Sequence, residues 1–304
     1  MPIHRCTELL LAIALLTASI SASGATQVVM LGTGTPIPTP DRSGPATAIV
    51  VDGKAYLVDF GPGVIRRAAA ASTEYGGTVE GLAVDKLEIA FLTHLHHDHS
   101  AGLPDLVYTS WTHGREKPLE LYGPAGIKAM AEHVAAAWEE DNRYRLYGLE
   151  PAAPDGWKIN AHEIDEGVVY RDERVTVDAF KVKHGTWPNA FGYRFTTPDK
   201  VIVISGDAAY DPTIEKMATG ADILIHEVVS EEAVNARDPF WQNYHRSNHT
   251  TSHELAALAS RAKPGLLILY HVLVFGLPDE VVLEEVRSRY NGKVVLANDL
   301  DVFD

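Results

Sequence analysis

Thr93-His94-Leu95-His96-His97-Asp98-His99 spaces its polar side chains as His-x-His-x-Asp-His. Imidazole and carboxylate are the donors that borderline divalent metals such as zinc prefer. Four inward donors on so short a loop suit two neighbouring ions better than one. His94 and His96 can face the first while Asp98 and His99 face the second. A solvated histidine loop would need no matching ligands elsewhere, but this chain has three. His184 ends the alternating run Val175 to Lys183, Asp207 ends the apolar run Val201 to Gly206, and His271 ends Leu266 to Tyr270. One such residue at a strand end is more often a cap or a satisfied polar group. Together with the first cluster they make seven candidate ligands, the number two ions need when one carboxylate bridges them. The pattern predicts a metal enzyme.

Short apolar runs alternate with helix-like stretches, which reads as α/β layers. Strands are expected at 27–31, 47–51, 55–59, 87–92, 119–122, 174–182, 191–196, 201–205, 223–226, 266–270 and 293–296. Helices are expected at 63–71, 102–111, 126–139, 212–217, 251–262 and 279–290. The candidate ligands fall just after strands, where loops converge on a cleft. Leu31-Gly32-Thr33-Gly34 follows the first strand, but Pro36, Pro38 and Pro40 cannot continue a phosphate-binding helix. It reads as a tight, shaped loop under the site.

The composition is that of an ordinary globular protein: 304 residues, 46% hydrophobic and 22% charged, with a formal net charge of −15. So acidic a chain offers no broad basic face for a nucleic-acid backbone, and nucleic acid is not expected as a partner. A local metal pair still attracts an anion. Residues 1–25 read as a cleavable leader: His4 and Arg5, the short apolar run Leu9 to Leu16, then Ser23-Gly24-Ala25. A single domain, 26–304, follows. The expected location is periplasmic or secreted, with no membrane attachment after cleavage. Cys6 is the sole cysteine, so the mature chain has none.

On these residues the chain resembles the metallo-β-lactamase-fold hydrolases, and more narrowly their ribonuclease Z and arylsulfatase-type branch. The likeness extends to Gly192-Tyr193-Arg194, Ser205-Gly206-Asp207, His226-Glu227 and His249-Thr250-Thr251. It implies an α/β fold, a four-layer αββα sandwich with metals at one edge. It assigns His94, His96 and His184 to one zinc and Asp98, His99 and His271 to the other, with Asp207 bridging. Manganese or iron suits the same donors. A bridging aspartate implies phosphoesterases, sulfatases and lactonases rather than β-lactamases. The resemblance also allows a homodimer.

Two cations sharing a hydroxide keep a nucleophile available at neutral pH, and Asp98 can orient it. The resemblance makes His249 an anion contact and general acid, with Glu227 raising its basicity. Ribonuclease Z carries a long arm between the positions of His184 and Asp207. Here that interval is 23 residues and holds no arm. Trp111, Trp187, Phe191, Phe240, Trp241 and Tyr244 are candidate walls for an aryl leaving group, and Arg237 to Asn248 is a candidate lid. The expected function is hydrolysis of small-molecule anionic phospho- or sulfo-esters. The alternatives are a ribonuclease Z-like phosphodiesterase, a lactonase in which Tyr193 meets the oxyanion, and a non-catalytic metal-binding module.

Overall fold

The computed structural model describes residues 26–150 and 152–304, so the leader segment 1–25 lies outside the described residues. Two seven-stranded sheets carry the fold. The first runs β14 (Val302–Phe303), β1 (Gln27–Gly32), β2 (Ala46–Val51), β3 (Lys54–Val58), β4 (Ile89–Phe91), β5 (Leu119–Gly123) and β6 (Ile159–Glu163). The second runs β13 (Val294–Leu296), β12 (Leu266–Leu273), β11 (Ile223–Val229), β10 (Val201–Ile204), β9 (Trp187–Thr196), β8 (Thr176–His184) and β7 (Gly167–Arg171). Each sheet is antiparallel through one half and parallel through the other. Parallel strands must be covered on both faces, and β11 is buried along its whole length.

The helices are α1 (Val64–Ala71), α2 (His97–Ser100), α3 (Leu103–Thr112), α4 (Ile127–Ala137), α5 (Glu139–Tyr147), α6 (Pro212–Ala218), α7 (Glu231–Asn235), α8 (Pro239–Asn248), α9 (Ser252–Ala262) and α10 (Glu280–Arg287). Three apolar cores fill the gaps between layers. Ile49, Tyr56 and Phe91 of the first sheet meet Val177, Tyr193 and Ile225 of the second. Val64, Leu106 and Ile127 pack on the outer face of the first sheet. Ile214, Leu255 and Val282 pack on that of the second. This is the four-layer αββα sandwich.

Three strands, β6, β7 and β14, are absent from the sequence reading because they are short, largely exposed edges. The expected helix 126–139 ends at Ala137, and Trp138 separates it from α5, whose single buried residue is Asn142. A helix polar on nearly every face gives no periodic signal.

A half-buried polar staple joins the sheets at the end near β7. Asp172 accepts hydrogen bonds from Lys54 Nζ, Tyr56 Oη and Tyr170 Oη, and from the backbone amides of Arg174 and Val175. Burial alone would raise its pKa, but the Tyr56 and Lys54 hydrogen bonds outweigh it and hold the carboxyl well below the usual range. A group depressed in this way stabilises the fold above its unfolded pKa and loses that contribution as pH falls. Asp172→Ala is expected to cost about 2–3 kcal/mol, because it orphans two tyrosine hydroxyls and a lysine. Thermal unfolding at neutral pH and near pH 3 checks this, with the difference from the parent shrinking in acid.

Candidate metal centre and active site

Every candidate ligand sits where a strand ends or deforms. β4 delivers Thr93 to His99 through a loop into α2. Ser205-Gly206 turns Asp207 off the end of β10. Gly206 has φ 62°, and a Cβ there would meet the Phe191 carbonyl oxygen at 2.7 Å, so the turn demands glycine. His271 is the extra residue of a β-bulge: Glu227 pairs with Tyr270 and Val228 with Val272, skipping it. Its backbone takes φ 45° and its N–H donates instead to Thr33 O at 3.1 Å. The bulge re-aims the imidazole at the edge of the sheet.

These elements bring all seven residues together. Ligand atoms of His94, His96, His184 and Asp207 lie within 4.8 Å of one another, and so do those of Asp98, His99 and His271. Asp207 Oδ2 stands 4.0 Å from His94 Nε2, while Oδ1 stands 3.4 Å from His99 Nε2 and 3.6 Å from His271 Nδ1. The carboxylate thus faces one group with each oxygen.

The ring nitrogens are pre-set for metal. Thr93 Oγ1 donates to Asp59 Oδ2 at 3.0 Å and accepts from His94 Nδ1, which leaves Nε2 as the lone pair. His99 Nδ1–H donates to Asp59 Oδ2 at 2.8 Å and His184 Nδ1–H to Asn248 O at 2.7 Å. Outer partners fix metal-binding tautomers in this way. His96 is the exception: Trp187 Nε1–H donates to its Nε2 at 2.8 Å, so a cation at Nδ1 competes with that hydrogen bond. His99 Nε2, His271 Nδ1 and Asp207 Oδ1 are buried without any hydrogen-bond partner among the described residues. Buried polar atoms are seldom left so, and a cation between them would satisfy all three. The donor set of imidazoles and carboxylates fits a divalent metal such as zinc.

The electrostatics divide the cluster. Burial pushes His94 well down, and burial with the His184 imidazole takes His96 to about 4. These rings are neutral lone-pair donors. Burial disfavours charge on His99, His271 and Asp207 too, but their mutual attraction outweighs it. The two histidines are raised and the carboxyl is held well below its usual range.

Asp59 was missed. It ends an apolar strand as Asp207 does, and that signal was available. It takes φ 60° and is fully buried. It holds both Thr93 and His99.

Beside this cluster, Glu227 Oε2 faces His249 Nδ1 at 3.3 Å, and Oε1 accepts from Thr250 N–H at 2.8 Å. One result departs from expectation. Burial dominates and holds His249 at about 4 despite the opposing Asp207 charge. Burial, with Asp207, also pushes Glu227 well up. The pair therefore favours neutrality, a protonated carboxyl facing a neutral ring, rather than a basic imidazole. His249 also lies within 4.8 Å of Asp207 and His271.

Several aromatic expectations change. Trp111 and Phe191 are core residues. Tyr193 Oη donates to Leu92 O at 2.7 Å and is fully buried, so it is not free to meet an oxyanion. Trp187 lies 4.7 Å from the His96 ring. The segment expected as a lid forms α8.

The family model described as a beta-lactamase superfamily domain matches residues 54–272. The chain belongs to that superfamily. Its superfamily relatives include the ribonuclease Z of Mycobacterium sp. (strain KMS), to which it is 34% identical over 250 residues, covering 81% of this chain and 84% of the relative. The metallo-β-lactamase fold protein YhfI from Bacillus subtilis has a like structure, with a TM-score of 0.68 at 20% identity, covering 92% of this chain and 100% of that one. Human tRNase Z, short form, follows with a TM-score of 0.66 at 24% identity, covering 91% and 98%. At these identities the structures speak to the superfamily fold. The curated relative is named for action on RNA, which runs against the expectation that nucleic acid is not a partner.

Proposed function

We propose that the chain is a metal-dependent phosphodiesterase of the ribonuclease Z type, holding two divalent ions and cleaving phosphodiester bonds in RNA. The observation that carries this is the Glu227–His249 pair set against a cluster whose central carboxylate, Asp207, faces both ligand groups. The ribonuclease Z relatives support the same chemistry. When bound, the metal pair supplies Lewis acidity toward phosphoryl oxygens and makes water acidic enough to attack at neutral pH.

The chain's residues do the rest. Asp59 and Asn248 hold the imidazoles in place, and Asp98, 3.3 Å from His271 Nε2, lies where it can orient the attacking water. Glu227 faces Nδ1 of His249 at 3.3 Å, so Nε2 is the ring nitrogen left to meet substrate. Its proton goes to the departing oxygen while Glu227 replaces it at Nδ1. The pair begins neutral, so the two transfers leave the imidazole neutral and no isolated buried imidazolium is required.

A second reading, hydrolysis of small phospho- or sulfo-esters by an exported enzyme, draws on the interval between His184 and Asp207. It is filled by a tight turn, β9 and β10. No arm projects there to grip a folded RNA, which favours substrates small or unpaired enough to enter the cleft alone. A substrate panel separates the readings: unstructured RNA, precursor tRNA, an aryl phosphodiester and an aryl sulfate, each with zinc-loaded protein. RNA and aryl phosphodiester are expected to turn over with kcat/KM at least about 100-fold above aryl sulfate, a difference near 2.7 kcal/mol. Preference for the sulfate would overturn the proposal.

A further inference from the structure

We propose that Phe240, Trp241 and Tyr244 on α8, with Arg237 beside them, form a stacking platform for unpaired bases of the nucleic acid whose phosphodiester enters the cleft. The inference rests on the phosphodiesterase reading and assigns that site its substrate grip.

The three rings are 70%, 40% and 42% exposed. They form a continuous row: Phe240 to Trp241 at 5.3 Å, Trp241 to Tyr244 at 5.4 Å, and Trp241 to His245 at 5.8 Å. His245 then stands 6.2 Å from His249, so the row leads from solvent to the proposed proton donor. Core packing does not account for aromatic surface left open to water. An exposed apolar patch beside a reactive cleft marks a binding surface.

The helix is fixed relative to the cluster. Its last turn receives Gly185 N–H at Ser247 O, 2.8 Å, and His184 Nδ1–H at Asn248 O, 2.7 Å. His249 is its C-cap. On its other side Arg246 pairs with Glu231 at 2.6 Å. A base stacked on the exposed turns would therefore be held at a set distance from the scissile phosphate. The platform is anchored rather than hinged at its end nearest the metals.

The occupant follows from the chemistry. Bases stack on aromatic faces without sequence preference, because every base has a π-face. The Arg237 guanidinium lies 6.0 Å from the Trp241 ring and 5.0 Å from the Phe275 ring, and it has no carboxylate partner among the described residues. One free cation beside a row of rings suits a single strand and one phosphate. It also reconciles nucleic-acid binding with a chain of net charge −15.

The test is tryptophan-fluorescence titration of the metal-loaded protein with a deoxyadenosine hexanucleotide carrying phosphorothioate linkages. Trp241→Ala and the double variant Phe240→Ala/Tyr244→Ala are compared with the parent, with circular dichroism to check folding. Labelled hexanucleotide and polarisation are used for the variant lacking Trp241. Each variant is expected to raise Kd about tenfold, since stacking is worth roughly 5- to 150-fold per base. Trp241→Phe should restore most of the affinity. Log Kd should rise with log salt at a slope near 0.7, that of about one phosphate contact on a single strand. Unchanged affinity in folded variants would overturn the platform, even where RNA is hydrolysed. So would conversion of a dimer to monomers with affinity unchanged, which would make the rings a contact between copies. Weakened binding in the variants, with no hydrolysis of any phosphodiester by the parent, would uphold the platform and remove the proposed reaction.

Discussion

Replacing Asp207 with alanine or asparagine is expected to remove metal and hydrolysis together. The carboxylate is 3% exposed and places an oxygen near His94 on one side and near His99 and His271 on the other. No other carboxylate among the described residues reaches both groups: Asp98 stands near His99 and His271, and Asp59 is held by Thr93 and by the far side of His99. Asparagine keeps the volume but not the charge, so it tests electrostatics rather than packing. Both variants should lose about 10⁴-fold or more in rate, on the order of 5–6 kcal/mol of transition-state stabilisation. Elemental analysis alongside the rate assay checks the coupling. Full metal content with full activity in either variant would refute a bridging role.

His249→Ala is the second large effect, and it should separate from the first. Both metals should stay bound while the rate falls roughly 10²- to 10⁴-fold, the span for losing a general acid. The loss should be greatest for basic leaving groups, because a stable anion departs without a proton. Glu227→Gln should cost less, about 10- to 100-fold, since an amide still accepts from Thr250 N–H but has no proton to pass to Nδ1. Equal losses for good and poor leaving groups would leave His249 a binding residue. Lost metal would make it a ligand, a role that its place within 4.8 Å of Asp207 and His271 makes a real alternative outcome.

The metal cluster was legible because its donors are side chains of distinctive type at the ends of apolar runs. What orients them was not. His184 is fixed by the backbone carbonyl of Asn248, 64 positions away, and no side-chain pattern announces a carbonyl. The bulge that aims His271 comes from a register shift against β11, and the strand itself reads as a plain apolar run. Asp59 is readable by the logic that identifies Asp207, since each closes an apolar strand. Trp111 and Phe191 were misplaced for another reason: nearness in sequence to a ligand says nothing of the face a ring takes, and both point into cores. The exposed edge β7 lacks the alternation that burial of one face imposes, and β6 alternates over only Ile159 to Ala161, too short a run to read as a strand.

The His249 electrostatics show what burial adds to a motif. A carboxylate beside an imidazole raises its basicity in water, but here both groups are enclosed and desolvation dominates. The pairing was visible in the sequence, while its proton inventory depended on depth.

The most direct test is metal titration of chelator-stripped protein with phosphodiester hydrolysis followed at each step. Activity should be absent without metal, rise with added zinc and reach its plateau at two ions per chain by elemental analysis. Hydrolysis by the stripped protein at the rate of the loaded one, or a plateau at one tightly held ion with no second taken up, would contradict a two-metal phosphodiesterase.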